Sequence, residues 1–369
     1  MRLAIPALAC LLLCSAAGAA KPPPRAAPVS PWDVEAREYL GTPASESAVR
    51  KALAFLAVSQ ESDGHWDGGN YKADVGITGL CLMSFLAAGH QPGRGRYGVT
   101  INEAIDYICR QVRMSGNLSA PGLIQDRSQQ GGPPMYGHGF ATLALAESYG
   151  MTDRRDLKMK IEAAIRLIED KQTQNPRDPM HDGGWRYQPQ QGDADISVTI
   201  VQVMALRAAR NAGLKVPQST IDRAVAYMKR CVNPADGGFS YQVGQQQSGP
   251  ARTGAAVLSL IMAGQRNSPE CRSGLRYLME HPYDRANIVP YREHFYYALY
   301  YVTQAMYQAG GVYWLQWFPP VRDELVRSQS ADGSWSRDDN NSEAGPVYAT
   351  AMAVLVLQVP AGLLPIYQK

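Results

Sequence analysis

From Ala48 onward one pattern recurs about every 50 residues: an amphipathic segment of helical period, a Gly/Asp turn carrying an aromatic residue, and a more apolar helical segment. The first unit is the clearest. "KALAFLAVSQESDGHW" ends its helix near Gln60 and turns through Asp63, Gly64 and Trp66, and "VGITGLCLMSFLAAG" supplies the apolar partner. Later units repeat the turn as "DGGW" at Asp182–Trp185, "DGGF" at Asp236–Phe239 and "DGSW" at Asp332–Trp335. The second and fifth units, "NEAIDYICRQV" with "GFATLALAESYG" and "CRSGLRYLME" with "YYALYYVTQAMYQAGG", are degenerate but keep the helix pair.

A unit of this kind cannot bury its apolar helix alone, so its neighbours must cover it. The charged first helix of each pair belongs outside and the apolar second helix inside, and six such pairs close into a ring. The Asp-Gly turn suits the junction, because glycine reaches positive φ and aspartate bonds the backbone beyond it. The aromatic residue then fills the gap between pairs. Strand signals hardly recur, so the expected class is all-α.

The N-terminus follows other rules. Arg2, the apolar run Leu3 to Cys14 and "SAAGAA" have the layout of a secretory signal peptide over residues 1–20. The proline-rich residues 21–45 read as an extended linker, which leaves 46–369 for the helical ring. The expectation is an exported protein, periplasmic or extracellular. A hydrophobic content of 45% with 19% charged residues supports a sizeable core, and a net charge of +3 without a basic run gives no reason to expect nucleic acid. No later segment is long and apolar enough for a transmembrane span. Cys81, Cys109, Cys231 and Cys271 show no CxxC pairing and read as buried free thiols.

Lys51, Ala52, Phe55, Gln60, Gly64 and Trp66 fit the QW repeat of terpenoid cyclases. The chain resembles the α/α toroid shared by squalene-hopene cyclases and protein prenyltransferase β subunits, over roughly Ala48 to Pro360. The resemblance implies an (α/α)6 toroid of six inner and six outer helices. In the cyclases a Gly-Gly-Trp turn precedes a DxDD motif whose middle acid protonates an alkene. Here "GGW" is followed by "DADI", so Asp193 and Asp195 match the first and middle acids, and Ile196 stands where the last acid should be. Alkene protonation needs a very strong acid held by a neighbouring carboxylate, and isoleucine supplies none. The family's cavity also lies between two toroidal domains, and this chain is long enough for one.

The prenyltransferases bind zinc through an Asp, Cys and His set. No Asp-x-Cys occurs at the corresponding units, and Cys271 falls on an outer helix, so no metal or other cofactor is expected. HExxH, Walker and GxSxG motifs are absent, and "GRGRYG" lacks the preceding strand of a dinucleotide fold.

Asp193 and Asp195 also suit helix capping before "ISVTIVQVMAL". In a toroid the inner helices run parallel, so their first residues gather at one mouth: Asp74, His138, Asp193, Asp195, Arg252, Glu293, His294 and Tyr348. Such a rim orients a polar head while the barrel takes an apolar tail. The reading is a non-catalytic toroid binding a lipid, an isoprenoid or a protein partner. A terpene cyclase using Asp195 as general acid is the alternative. A carbohydrate-active α/α barrel, with Asp74 and Asp195 or Glu293 as acid and base, is the second.

Overall fold

The computed structural model describes residues 40–114, 120–126, 133–152, 154–175, 177–292, 294–336 and 344–368. The expected signal peptide, most of the linker and Glu293 lie outside the described residues. The outer helices are α1 (Pro43–Val58), α3 (Gly98–Gln111), α5 (Arg155–Lys171), α7 (Gln218–Arg230), α9 (Pro269–Glu280) and α11 (Gly311–Ser328). The inner helices are α2 (Val75–Ala87), α4 (Pro134–Tyr149), α6 (Ile196–Asn211), α8 (Pro250–Met262), α10 (Phe295–Ala309) and α12 (Gly345–Gln358). α1 begins three residues before the expected boundary of 46, because Thr42 and Ser45 exchange hydrogen bonds as a capping box in front of Pro43.

Each inner helix packs on the next, α2 on α4, α4 on α6, α6 on α8, α8 on α10, α10 on α12, and α12 back on α2. The ring is closed. Glycines set the α2–α4 approach: Gly76 faces Gly137 and Gly79 faces Phe140 and Ala141, a register that also shows the two helices to be parallel. All 13 residues of α2 are buried, and in α10 every residue except Tyr297 is buried. The ring's axis is therefore packed with side chains.

A repeated lock holds each unit to the following one. Gly64, Gly183 and Gly333 have φ of 97°, 90° and 90°. A β-carbon there would overlap the carbonyl oxygen of Glu103 in α3, Arg223 in α7 or Lys51 in α1, so each turn lies against a later outer helix and the last one closes the circle. The glutamine of each motif crosses the same junction. Gln60 Nε2 donates to the Gly64 and Thr100 carbonyls (both 3.0 Å), Gln172 to Gly183 (2.8 Å) and Thr220 (2.9 Å), and Gln329 to Gly333 (2.9 Å) and Ala48 (2.8 Å).

The tryptophan ties the turn to both of its helices. Trp66, Trp185 and Trp335 donate Nε1–H to Leu56, Ile168 and Leu325 of the preceding outer helix at 2.7–2.8 Å. Their backbone N–H groups donate to Thr78, Thr199 and Thr350 Oγ1 of the following inner helix at 3.0–3.2 Å. All three rings are buried, as expected of structural staples.

The second unit keeps the device in another dress. Gly122, at φ 89°, abuts the Ala163 carbonyl of α5, Ile124 takes the aromatic position, and its N–H donates to His138 Nδ1 at 3.1 Å. The far end of the ring is closed by the C-terminal segment, where the 3₁₀ turn Pro365–Tyr367 packs on α6 and Gln308 Nε2 donates to the Tyr367 carbonyl at 2.8 Å. Cys81, Cys109, Cys231 and Cys271 are buried and free.

Candidate functional site

The first residues of α4, α6 and α10 and the turn at Tyr241, before α8, meet around Asp195. Asp195 is the N-cap of α6: its extended backbone leaves the helix's first N–H groups open, and Oδ1 accepts from Val198 N–H at 2.9 Å. Capping thus occupies one carboxylate oxygen. Oδ2 is also buried, has no hydrogen-bond partner, and lies 3.5 Å from Arg186 Nη1. Burial pushes the Asp195 carboxyl up to about 6, against the opposing pull of the Val198 N–H and the Arg186 charge.

Arg186 is placed by the turn itself, because it follows Trp185, whose carbonyl accepts from Asp195 N–H at 2.9 Å. Its guanidinium lies over the rings of Tyr187 and Tyr241, 4.7 and 5.4 Å from their centroids, and its Nε is 3.2 Å from Asp193 Oδ2. Asp193 is half-exposed and has a second basic neighbour, His181, at 3.3 Å. One arginine therefore bridges two carboxylates in different surroundings, one dry and one wet.

Tyrosines wall the rest. The hydroxyls of Tyr187 and Tyr241 bond each other, and Tyr136 sits 6.0 Å from Tyr187, ring to ring. Ser197 acts on the phenols of both Tyr136 and Tyr297, and Tyr297 packs on Tyr301 at 4.6 Å. Tyr136, Tyr187, Tyr241 and Tyr297 are half-buried and face the mouth, whereas Tyr296, Tyr300 and Tyr301 belong to the core.

The other expected rim residues divide. Asp74 caps α2 through Oδ1, which accepts from Gly76 and Ile77 N–H at 2.8 and 2.9 Å, and burial raises its pKa. His138 does not line the mouth. It is fully buried, does for Ile124 what threonine does in other units, and burial lowers its pKa to about 4, so it is neutral with the proton on Nε2. Arg252 is half-buried, donates to the Gln247 carbonyl at 3.2 Å and pairs with no carboxylate among the described residues. Tyr348 is half-buried against the core, and His294 is exposed.

Ala73 and His294 are, among the described residues, the non-glycine residues with positive φ, at 49° and 56°, and each immediately precedes an inner helix or its cap. Strain of this kind concentrates at functional surfaces. Sequence reasoning missed Arg186, Tyr136, Tyr187 and Tyr241. Part of the signal was present in "GGWRY", which places Arg186 and Tyr187 directly after the buried Trp185 and ahead of Asp193 and Asp195.

No family model matches the chain, and no curated protein matches it in sequence. Solved structures do match. A variant of the α-1,6-mannanase of Salegentibacter sp., made inactive by replacing two consecutive aspartates and bound to α-1,6-mannotriose, superposes with a TM-score of 0.63 at 9% identity, over 86% of this chain and 99% of that one. A type II terpene cyclase from Scytonema gives 0.53 at 14% identity, over 87% and 98%. A D-mannose isomerase gives 0.57 at 15% identity, over 88% and 100%. The chain is an α/α toroid. Mannanases and terpene cyclases both have this fold, and at these identities the likeness extends no further.

Proposed function

We propose that this chain is a carbohydrate-active toroid whose mouth takes a glycan, with Asp195 as proton donor and Asp193 as its carboxylate partner. The observation that carries the reading is the divided carboxylate of Asp195, with one oxygen spent on the helix and the other buried beside Arg186 at 3.5 Å and protonatable near pH 6. A general acid works best when its pKa lies near the working pH, and a second carboxylate in a wetter setting completes the pair used for glycosidic bonds. Half-buried tyrosine faces at the same mouth suit the apolar faces of sugar rings.

This departs from the expectation of an apolar ligand inside the ring. The axis is filled by buried inner-helix side chains, including Tyr300 and Tyr301, which removes the support for a lipid or isoprenoid tail there. The cyclase alternative is weakened in the same way, and Ile196 is fully buried where the last acid of DxDD would stand. Export, inferred from the N-terminal sequence, would bring the mouth to extracellular polysaccharide.

A second reading, binding without cleavage, is favoured by Arg186, which covers Asp195 Oδ2 and must swing aside before a glycosidic oxygen reaches it. The test is release of reducing ends from α-1,6-linked mannan and a panel of other α-linked oligosaccharides, with binding followed by calorimetry. Release that falls by about a hundredfold or more in Asp195→Asn supports the enzyme. Binding without release in wild type supports the second reading, and neither binding nor release refutes both.

A further inference from the structure

Inside the ring, α4 and α10 meet across the axis, where the rings of Phe140 and Tyr300 lie 6.5 Å apart. Glu147 stands two helical turns beyond Phe140 on the same face of α4, and Gln304 stands one turn beyond Tyr300 on the same face of α10. The two helices run parallel, so a carboxyl and a carboxamide face one another below the aromatic pair, toward the base of the ring. Each residue is 2% exposed.

Hydrogen bonds satisfy these groups in part. Gln304 Nε2 donates to the Tyr300 carbonyl at 3.1 Å, while Gln304 Oε1 is buried without a partner. Glu147 Oε2 accepts from Ile366 N–H of the closing turn at a long 3.5 Å, while Glu147 Oε1 is buried without a partner. No lysine, arginine or histidine pairs with Glu147 among the described residues. Two acceptor oxygens thus share a dry site that supplies neither of them with a donor, and buried oxygens in native proteins seldom stay in that condition. Burial raises the phenols of Tyr300 and Tyr367, and the charge of Glu147 adds to both shifts, so two more oxygens lie within its field.

We propose that Glu147 Oε1 and Gln304 Oε1 hold a monovalent cation of the sodium or potassium class at the base of the ring. Hard cations take carboxylate, amide and hydroxyl oxygens, the groups gathered there. The charge selects the valence: one carboxylate balances one positive charge, whereas a divalent ion would leave an unpaired charge buried among aromatic rings. The ion competes with the proton that burial otherwise keeps on Glu147, whose carboxyl is pushed up to about 8, so binding strengthens as pH rises. Through Ile366 the site also touches the closing turn, and a bound ion braces that end of the ring. The site is separate from the mouth and stands whether or not the mouth acts on glycans.

The experiment is thermal melting at pH 8.5 and constant ionic strength, with sodium or potassium chloride replacing choline chloride, repeated at pH 5.5 and on Glu147→Gln and Gln304→Met. In choline, Glu147→Gln is the more stable protein at pH 8.5. The expected result is a saturable rise in the wild-type melting temperature of about 2 °C or more with one of the two metal ions, which narrows that gap. The rise shrinks at pH 5.5, where Glu147 keeps its proton, and is lost in Glu147→Gln. Gln304→Met keeps the bulk without Oε1 and needs about tenfold more cation for half the effect. Equal melting of wild type in choline, sodium and potassium overturns the proposal and leaves Glu147 a neutral buried acid. A rise that persists in Glu147→Gln, or a half-effect concentration that Gln304→Met leaves unchanged, overturns it as well. Cooperative melting of both variants in choline shows that the fold is kept.

Discussion

Replacing Asp195 by asparagine separates the two duties of its carboxylate. Asparagine keeps an oxygen to accept the Val198 N–H, so the cap of α6 survives, while the buried charge is removed. The carboxyl is raised from 3.8 to about 6, a shift of about 2 units, and at 1.36 kcal/mol per unit this is about 3 kcal/mol of stability lost on ionisation. The sign follows from proton counting. Between pH 4 and 6 the native state holds a proton that the unfolded chain has released, so stability falls as pH rises through that window and stays low above it. The attraction to Arg186 is already contained in the shift, and Arg186 keeps Asp193 at 3.2 Å in the variant. Asp195→Asn should therefore melt about 4–6 °C above wild type at pH 8 and equal to it below pH 4. Thermal melts from pH 3.5 to 8 measure this. A variant that is less stable at pH 8, or one whose difference from wild type does not change with pH, would refute the account of Asp195 as a costly buried acid.

Other perturbations test the surrounding structure. Gly183→Ala forces a β-carbon into the Arg223 carbonyl at a φ of 90°, and denaturant melts should show a loss of several kcal/mol, far above the ~1 kcal/mol typical of a surface change. Thr199→Val leaves the buried Trp185 N–H without its acceptor and should cost about 1–3 kcal/mol, read in the same melts. His138, with its pKa lowered to about 4, should show no imidazole titration by NMR between pH 5.5 and 8. Glu147 is buried beside Ile366 N–H with its carboxyl raised to about 8. Glu147→Gln should match wild type below its unfolded value near 4.5 and be the more stable protein above pH 8.

The ring was legible in the sequence because its periodicity is physical. Each Gln, Gly and Trp of the turn makes the same bonds in units one, three and six, so the motif recurs wherever the junction does. Gly122 and Ile124 were less visible, since the lock survives there with an isoleucine for the aromatic and His138 for threonine. That substitution also explains why His138 read as a rim residue: its position at the head of α4 is the same, but its ring is turned into the wall. Asp195 was legible as a cap from its place before an apolar helix. The meaning of its second oxygen was not, because that depends on Arg186 and Tyr241, which reach it through turn geometry. The closing turn at Pro365–Tyr367 carries no helical period and gave no signal.

The central claim is that a glycan lies at the mouth formed by the heads of α4, α6 and α10 and the turn at Tyr241. Amide hydrogen exchange of the Asp195→Asn protein, with and without an α-1,6-linked mannose oligosaccharide, tests it most directly. The account predicts added protection at the head of α4, through residues 185–198, and around Tyr241, with the C-terminal ends of α6 and α8 unchanged. Protection confined to another face, or none at concentrations that saturate a control mannanase, would contradict it.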